Sequence, residues 1–496
     1  MPFAKRLALL FAAGLLTLGA APAQRDSLSS LLARMRERSG PVWAAHLTSV
    51  SHVMQNGVTV DLRSETQGLR FASYHCAGAL CDGTYFDGER LYSININGTT
   101  LPDPDGADSY LRAERTIASL SFLAPDFVER GGTIYDDGVT DIDGVRYRTI
   151  LVANKDAVPM LVFVDPKTAT VRYMRDINGD QTFEYRKYAA VDGGFYLPLY
   201  VLRNGNPLER YDKRESLSTP FVPPHGPLPT FSSRPVTIQT DPTQTIPVFD
   251  CTIAGIAAKC LLDSGNSGLS ISLALAERLE APVVGSFQVR GLGNYATEVV
   301  RAGALDVGGM TLPPANYVVL HDIDHFGYQV VLGADVFAAT TIRLETGAHR
   351  VVFGAPDPQD GVTVPLAFDN FVPVVDVRLG ALPTRLAFDT GDESSINLAY
   401  DFYQAHRDLF SATSEREVQG VGGGSVELLG TIPQVQIGDL AVDSAVIGAT
   451  QTLQGTARGH LGEGLMSRFD VTIDYAAGEL HFVPLNGAAP APTPSP

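Results

Sequence analysis

Leu28, Leu31, Leu32 and Met35 recur at i, i+3, i+4 and i+7. That spacing predicts an amphipathic helix, and Gly40 is a natural stop for it. Beyond it the period changes from about three and a half to two. "GVTVDLRSE", "ERLYSININ", "MLVFVDP" and "ATVRYMRDI" alternate as half-buried strands do. Asn56-Gly57, Asp87-Gly88 and Asn178-Gly179 punctuate them as turns. A second helix is predicted over 109–122. Residues 24–215 thus read as an α+β domain, a curved antiparallel sheet with one or two helices against it.

Periodicity then stops. Residues 216–233, "SLSTPFVPPHGPLPTFSS", are rich in Pro and Ser and read as a linker. The tail 486–496 is Pro-rich and reads as disordered. At the other end, Lys5 and Arg6 precede an apolar run that closes on Ala21-Pro22-Ala23. Residues 1–23 are therefore expected to be a signal peptide, and the mature chain to be exported to the periplasm or medium.

From residue 234 strand-like segments return, and they repeat. "IPVFDCTIAGIAAKCLLDSG" (246–265) aligns without a gap with "VPVVDVRLGALPTRLAFDTG" (372–391). Each reads as a hairpin whose second strand ends at an aspartate, Asp263 or Asp389. Gly291-Leu292-Gly293 begins 28 residues past Asp263, and Gly420-Val421-Gly422 begins 31 past Asp389. Val331-Leu332-Gly333 and His460-Leu461-Gly462 place their glycines 70 and 73 residues past the same aspartates. Phe353 and Phe482 lie 20 further on. One insertion of three residues explains every offset, so the region holds two copies of one lobe.

Charge and cysteine content narrow the function. A net charge of −18 argues against nucleic-acid binding. The four cysteines fall in two close pairs, Cys76 with Cys81 and Cys251 with Cys260. An exported chain favours a disulfide within each pair, and the hairpin puts Cys251 and Cys260 on neighbouring strands. Neither pair has zinc-ligand spacing.

Asp-Ser/Thr-Gly after an apolar pair, then a Gly-rich loop, then apolar-apolar-Gly, all twice, resembles the pepsin and retropepsin aspartic proteases. The likeness covers about 234–485. It implies a mainly β, two-lobed acid-protease barrel domain, with lobe 1 at 234–365 and lobe 2 at 366–485. Asp263 and Asp389 would form one catalytic dyad, sharing a proton because two close carboxyls cannot both ionise easily. Ser264 and Thr390 would tie the two loops, and Gly265 and Gly391 would permit close approach. Asn266 and Asp392 complete the supporting loops, but stand where the family often has a small hydroxyl residue. Ser267, Ser394 or Ser395 are the substitutes in reach. Gly291, Gly293 and Tyr295, with Gly420 and Gly422, would form substrate-binding flaps. The resemblance implies an aspartic endopeptidase acting on a peptide or protein, monomeric in its catalytic unit, with no cofactor and no metal.

Other motifs are weaker. "DINGD" (176–180) opens like a calcium loop, but Gln181 follows and the later Glu is missing. "HDIDH" (321–325) lacks further ligands. Asn97-Gly98-Thr99 matches a glycan acceptor. "FDGERLYSI", "MLVFVDPKTATV" and "YAAVDGGFYLPLYV" resemble the bacterial periplasmic lipoprotein-carrier fold, a half-open barrel over helices, which implies lipid or lipoprotein contact. The linker and the complete repeat imply that the N-terminal domain is separable from catalysis. The rival reading is a non-catalytic periplasmic peptide- or lipid-binding protein that keeps the protease fold.

Overall fold

The first helix forms over Leu28–Ser39, buries Leu31, Leu32 and Met35, and is capped by the Ser27 hydroxyl. It ends at Gly40, whose φ of 67° suits a residue without a side chain. The computed structural model describes residues 27–485 apart from 56–57, 104–107, 357–359 and 451–456. The expected signal peptide 1–23, the expected turn at Asn56-Gly57 and the expected disordered tail 486–496 lie outside the described residues.

The N-terminal domain is built from two antiparallel seven-stranded sheets, not the one sheet the pattern suggested. Six strands from His46 to Pro102 make the first, and Lys213–Leu217 returns to its edge beside His46–Gln55. Seven strands from Thr133 to Arg210 make the second. The helix Asp108–Ala118 and the 3₁₀ turn Ser121–Leu123 interrupt the meander, so the chain restarts as a new sheet. Both helices pack on that second sheet, where Leu31, Met35, Ile117 and Phe122 meet Ile150, Val162 and Met174. The "DINGD" segment is a hairpin turn, in which the Asp176 carboxylate accepts from the backbone N–H of Gly179, Asp180 and Gln181.

The segment 216–233 has no regular structure between Leu217 and Thr230. It is nonetheless held. Phe221 is buried against Tyr85 and His46, and a His46 ring nitrogen pairs with the Thr219 carbonyl at 2.7 Å.

The repeat reappears in three dimensions. In lobe 1 the hairpin Val248–Ile253/Ile256–Leu262 lies beside Val330–Leu332, which runs parallel to its second strand. In lobe 2 the hairpin Val372–Leu379/Leu382–Phe388 meets Gly459–Leu461 in the same way. The lobes form a ten-stranded and an eight-stranded sheet, joined by a third sheet of six strands. In this shared sheet Ile342–Glu345 of lobe 1 pairs with Phe469–Asp474 of lobe 2. Val362–Pro365 pairs with Glu479–Pro484, on the lobe 2 side. Phe353 and Phe482 are both fully buried, in one apolar core continuous through both lobes. Both disulfides are formed. Cys76 and Cys81 face each other across a hairpin, and Cys251 and Cys260 bridge theirs diagonally. No helix among the described residues is long and apolar enough to cross a membrane.

A fully buried phenylalanine in a shared core has little room to relax when truncated. Phe482→Ala should cost about 3–5 kcal/mol of stability, read as a shift in the urea midpoint at unchanged slope.

Candidate active site

Each aspartate is placed by the strand parallel to its hairpin. Asp263 N–H donates to the Leu332 carbonyl and Asp389 N–H to the Leu461 carbonyl, both at 3.0 Å. The two loops then interlock. Ser264 N–H donates to Thr390 Oγ1, and Thr390 N–H donates to Ser264 Oγ, each at 3.0 Å. Each hydroxyl in turn donates across to the other lobe. Ser264 Oγ reaches the Phe388 carbonyl at 2.7 Å and Thr390 Oγ1 the Leu262 carbonyl at 2.8 Å. Both residues are fully buried, so four satisfied hydrogen bonds stand where unpaired polar groups would be costly.

This grip brings the carboxylates face to face. Gly265 N–H donates to Asp263 Oδ1 at 2.8 Å and Gly391 N–H to Asp389 Oδ1 at 2.9 Å. Each glycine also lies under the opposite carboxylate. A Cβ on Gly391 would fall 2.5 Å from the Asp263 carboxyl carbon, and one on Gly265 would fall 2.5 Å from Asp389 Oδ2. Only glycine fits at either position.

Withdrawal from water, the charge of Asp389 and a hydrogen bond to it hold the Asp263 carboxyl well above the usual range. Burial also raises Asp389, with Asp392 adding to it and His460 opposing. Both carboxyls are thus harder to ionise than free ones, as expected of two acids held close together. His460 Nδ1 lies 3.4 Å from Asp389 Oδ2 and 3.5 Å from Asp392 Oδ2. Burial disfavours the charged ring, but the hydrogen bond to Asp392 and the charges of Asp389, Asp392 and Asp263 push His460 up to about 9. That cation leaves Asp392 below the ordinary carboxylate range despite burial. It also opposes the rise of both paired carboxyls.

Asp389, Asp392 and His460 offer atoms within 4.8 Å of one another, close enough for a metal ion. The nitrogen that would bind it is the one facing both carboxylates.

The remaining expected residues fall into two groups. Gly291, Gly293, Gly420 and Gly422 come together at the crossing tips of the hairpins Val283–Arg290/Asn294–Ala302 and Ser411–Gly420/Gly423–Ile437. A Cβ on Gly293 would lie 2.2 Å from the Gly422 carbonyl oxygen. Tyr295 and Asn266 have partners of their own. The Tyr295 ring packs on His321 at 5.1 Å. The Asn266 amide donates to Ser270 Oγ at 3.2 Å and the Gly268 carbonyl at 3.4 Å, inside its own loop. Asp392 accepts from Ser394 N–H at 2.8 Å as it faces His460. In "HDIDH", His321 also meets Thr297, and Asp324 accepts from Ser272.

Three further groups belong to this site. His460 stands where lobe 1 has Val331, a polar residue in an otherwise apolar strand, and that mismatch was its only sign in the sequence. Glu463 is 2 % exposed, with one carboxyl oxygen lacking a partner. Burial, then the charge of Asp389, pushes it up to about 8. Tyr328 is buried, and burial and then the charges of Asp263 and Asp389 raise its phenol.

Residues 249–336 match the family model of the aspartyl proteases. The C-terminal half of the chain thus carries an aspartyl protease domain. Among solved structures, basic 7S globulin from soybean aligns at 12% identity over 50% of this chain and 93% of its own, with a TM-score of 0.33. No curated protein matches.

Two outcomes follow from the geometry. Gly391→Ala should abolish any chemistry of the pair, read as loss of peptide hydrolysis, because the new methyl displaces the Asp263 carboxyl. A nearby cation lowers carboxyl pKa values, so removing it raises them. His460→Val should move both limbs of a pH–rate profile to higher pH, and the unpaired Asp392 charge pushes the same way. A profile that stays in place would mean His460 does not act on the pair.

Proposed function

We propose that this chain is an exported aspartic endopeptidase. The observation that carries the reading is the reciprocal Ser264–Thr390 interlock, which holds two carboxyls in mutual contact over the opposing glycines. A water between the carboxyls loses a proton to ionised Asp389 while its oxygen attacks the scissile carbonyl carbon. Protonated Asp263 gives its proton to the carbonyl oxygen. Collapse of the tetrahedral species breaks the C–N bond. The proton on Asp389 goes to the leaving amine, and the hydroxyl proton returns to Asp263, which restores the pair. No cofactor enters these steps.

Other features support parts of the reading. The meeting glycine tips suit flaps that open for a peptide and close on it. Two disulfides fit an oxidising compartment, in agreement with the export segment. Both lobes lie in one chain, so a monomer completes the catalytic unit. For the N-terminal domain we propose the lipoprotein-carrier-like fold, with lipid or lipoprotein contact. Its meandering antiparallel sheets and packed helices support that.

Asp263→Asn and Asp389→Asn should each abolish peptide hydrolysis by about the same factor, since residues acting as one unit are not additive. Circular dichroism checks that both variants stay folded. Full activity in either would refute the dyad. A wild type inert on a broad peptide library across pH would favour the binding-protein reading.

A further inference from the structure

The N-terminal domain does not stop at the linker. The turn Asn95–Thr99, at the far end of its first sheet, inserts into lobe 1 directly behind the Asp263 loop. Asp335 of lobe 1 is 1 % exposed, and among the described residues every hydrogen bond its carboxylate accepts comes from this turn. Asn95 Nδ2 donates to Oδ1 at 2.8 Å, Asn97 Nδ2 to Oδ2 at 2.7 Å, and the Thr99 hydroxyl to Oδ1. Lobe 1 therefore buries a carboxylate that it does not itself solvate.

The same turn holds the catalytic loop through its backbone. Asn95 Nδ2 also donates to the Ser267 carbonyl at 3.2 Å. Asp335 sits one residue beyond Ala334, whose N–H donates to the Asn266 carbonyl at 3.0 Å, while Gly333 N–H donates to the Gly268 carbonyl at 2.9 Å. Asn97 exchanges hydrogen bonds with the Asn316 backbone at 2.8 and 2.9 Å, and Asn316 Nδ2 donates to the Ile96 carbonyl at 2.9 Å. The glycan-acceptor tripeptide is thus a docking key, its amide engaged on both sides. In lobe 2 the residue at the place of Asp335 is Gly464, packed on Ser395, and no second domain is needed there.

Apolar contacts run the same way. Leu80, next to Cys81 in its hairpin, is buried with Val289 and Val299 of the lobe 1 flap. A Cβ on Gly285 of that flap would fall 2.3 Å from Leu80 Cδ1. Leu101, two residues past Thr99, joins the protease core.

We propose that Asn95, Asn97 and Thr99 are positioning residues for the Asp263 loop, acting through Asp335 and Ser267, so that the N-terminal domain is an obligate part of the catalytic unit. This rests on the dyad reading above. It replaces the expectation of a separable N-terminal domain.

Thr99→Val in the full chain keeps shape and removes one donor. It should lower kcat roughly tenfold at nearly unchanged KM, since no substrate contact is lost, and Thr99→Ser should restore kcat. A variant that melts earlier but keeps wild-type kcat would overturn the proposal, because the turn would then be cement alone. Should Thr99→Val fail to fold, Asn97→Ser makes the same comparison with a polar side chain retained. Hydrogen exchange separates this claim from the dyad reading. Thr99→Val should speed exchange at the Gly265 and Asn266 amides and leave their lobe 2 counterparts, Gly391 and Asp392, unchanged. That contrast in a wild type that cleaves nothing would uphold positioning of the loop and sink the protease reading. Equal change in both loops, or none, would sink the positioning claim.

Discussion

Two buried hydroxyls decide where the carboxylates sit. Ser264 and Thr390 each bond to the other's backbone, and neither loop is satisfied without its partner lobe. Everything upstream serves that exchange. The paired hairpins deliver the loops to the same height. The shared six-stranded sheet fixes the spacing of the lobes, and the continuous apolar core resists any slip between them. Once the loops are interlocked, the glycines leave the carboxylates nowhere to go but toward each other. Two acids held together and partly withheld from water are hard to ionise both at once, which is the ground for proposing a shared proton.

The frame is nearly two-fold, but its chemistry is not. Lobe 2 sets His460 and Asp392 beside its aspartate, where lobe 1 has Val331 and Asn266. The imidazole on one side lies 3.4 Å from Asp389 and favours its charged form. Lobe 1 instead has Asp335 behind its loop, solvated by the N-terminal domain. The repeat is therefore broken where the two aspartates need different surroundings, while backbone grip and glycines are kept in both copies.

Much of this was legible in the chain. The gapless 20-residue repeat located both hairpins, and the ordered glycines located the flap tips and the parallel strands. The helix Leu28–Ser39 followed from period and Gly40 alone. What could not be read was set by contacts between distant segments. Nothing in "FGYQV" says that Tyr328 lies near the carboxyls. Tyr295 was expected as a flap residue, and nothing local says that His321, 26 residues later, packs on its ring. Asn97-Gly98-Thr99 is indistinguishable from a surface sequon until Asp335 is brought against it from more than 200 residues away. Local pattern also gave one N-terminal sheet where there are two, because alternation reports a strand's faces and not its neighbours.

The central claim is that Asp263 and Asp389 hold one proton between them. Titration of the full chain with carboxyl-¹³C-labelled aspartate, followed by NMR, reads it directly. The account predicts two coupled steps for this pair, the upper one well above the usual carboxylate range, and a single step at lower pH than that upper one when either partner is replaced by Asn. Two independent titrations near the ordinary value of about 4 would show carboxyls that do not share a proton and would contradict the account.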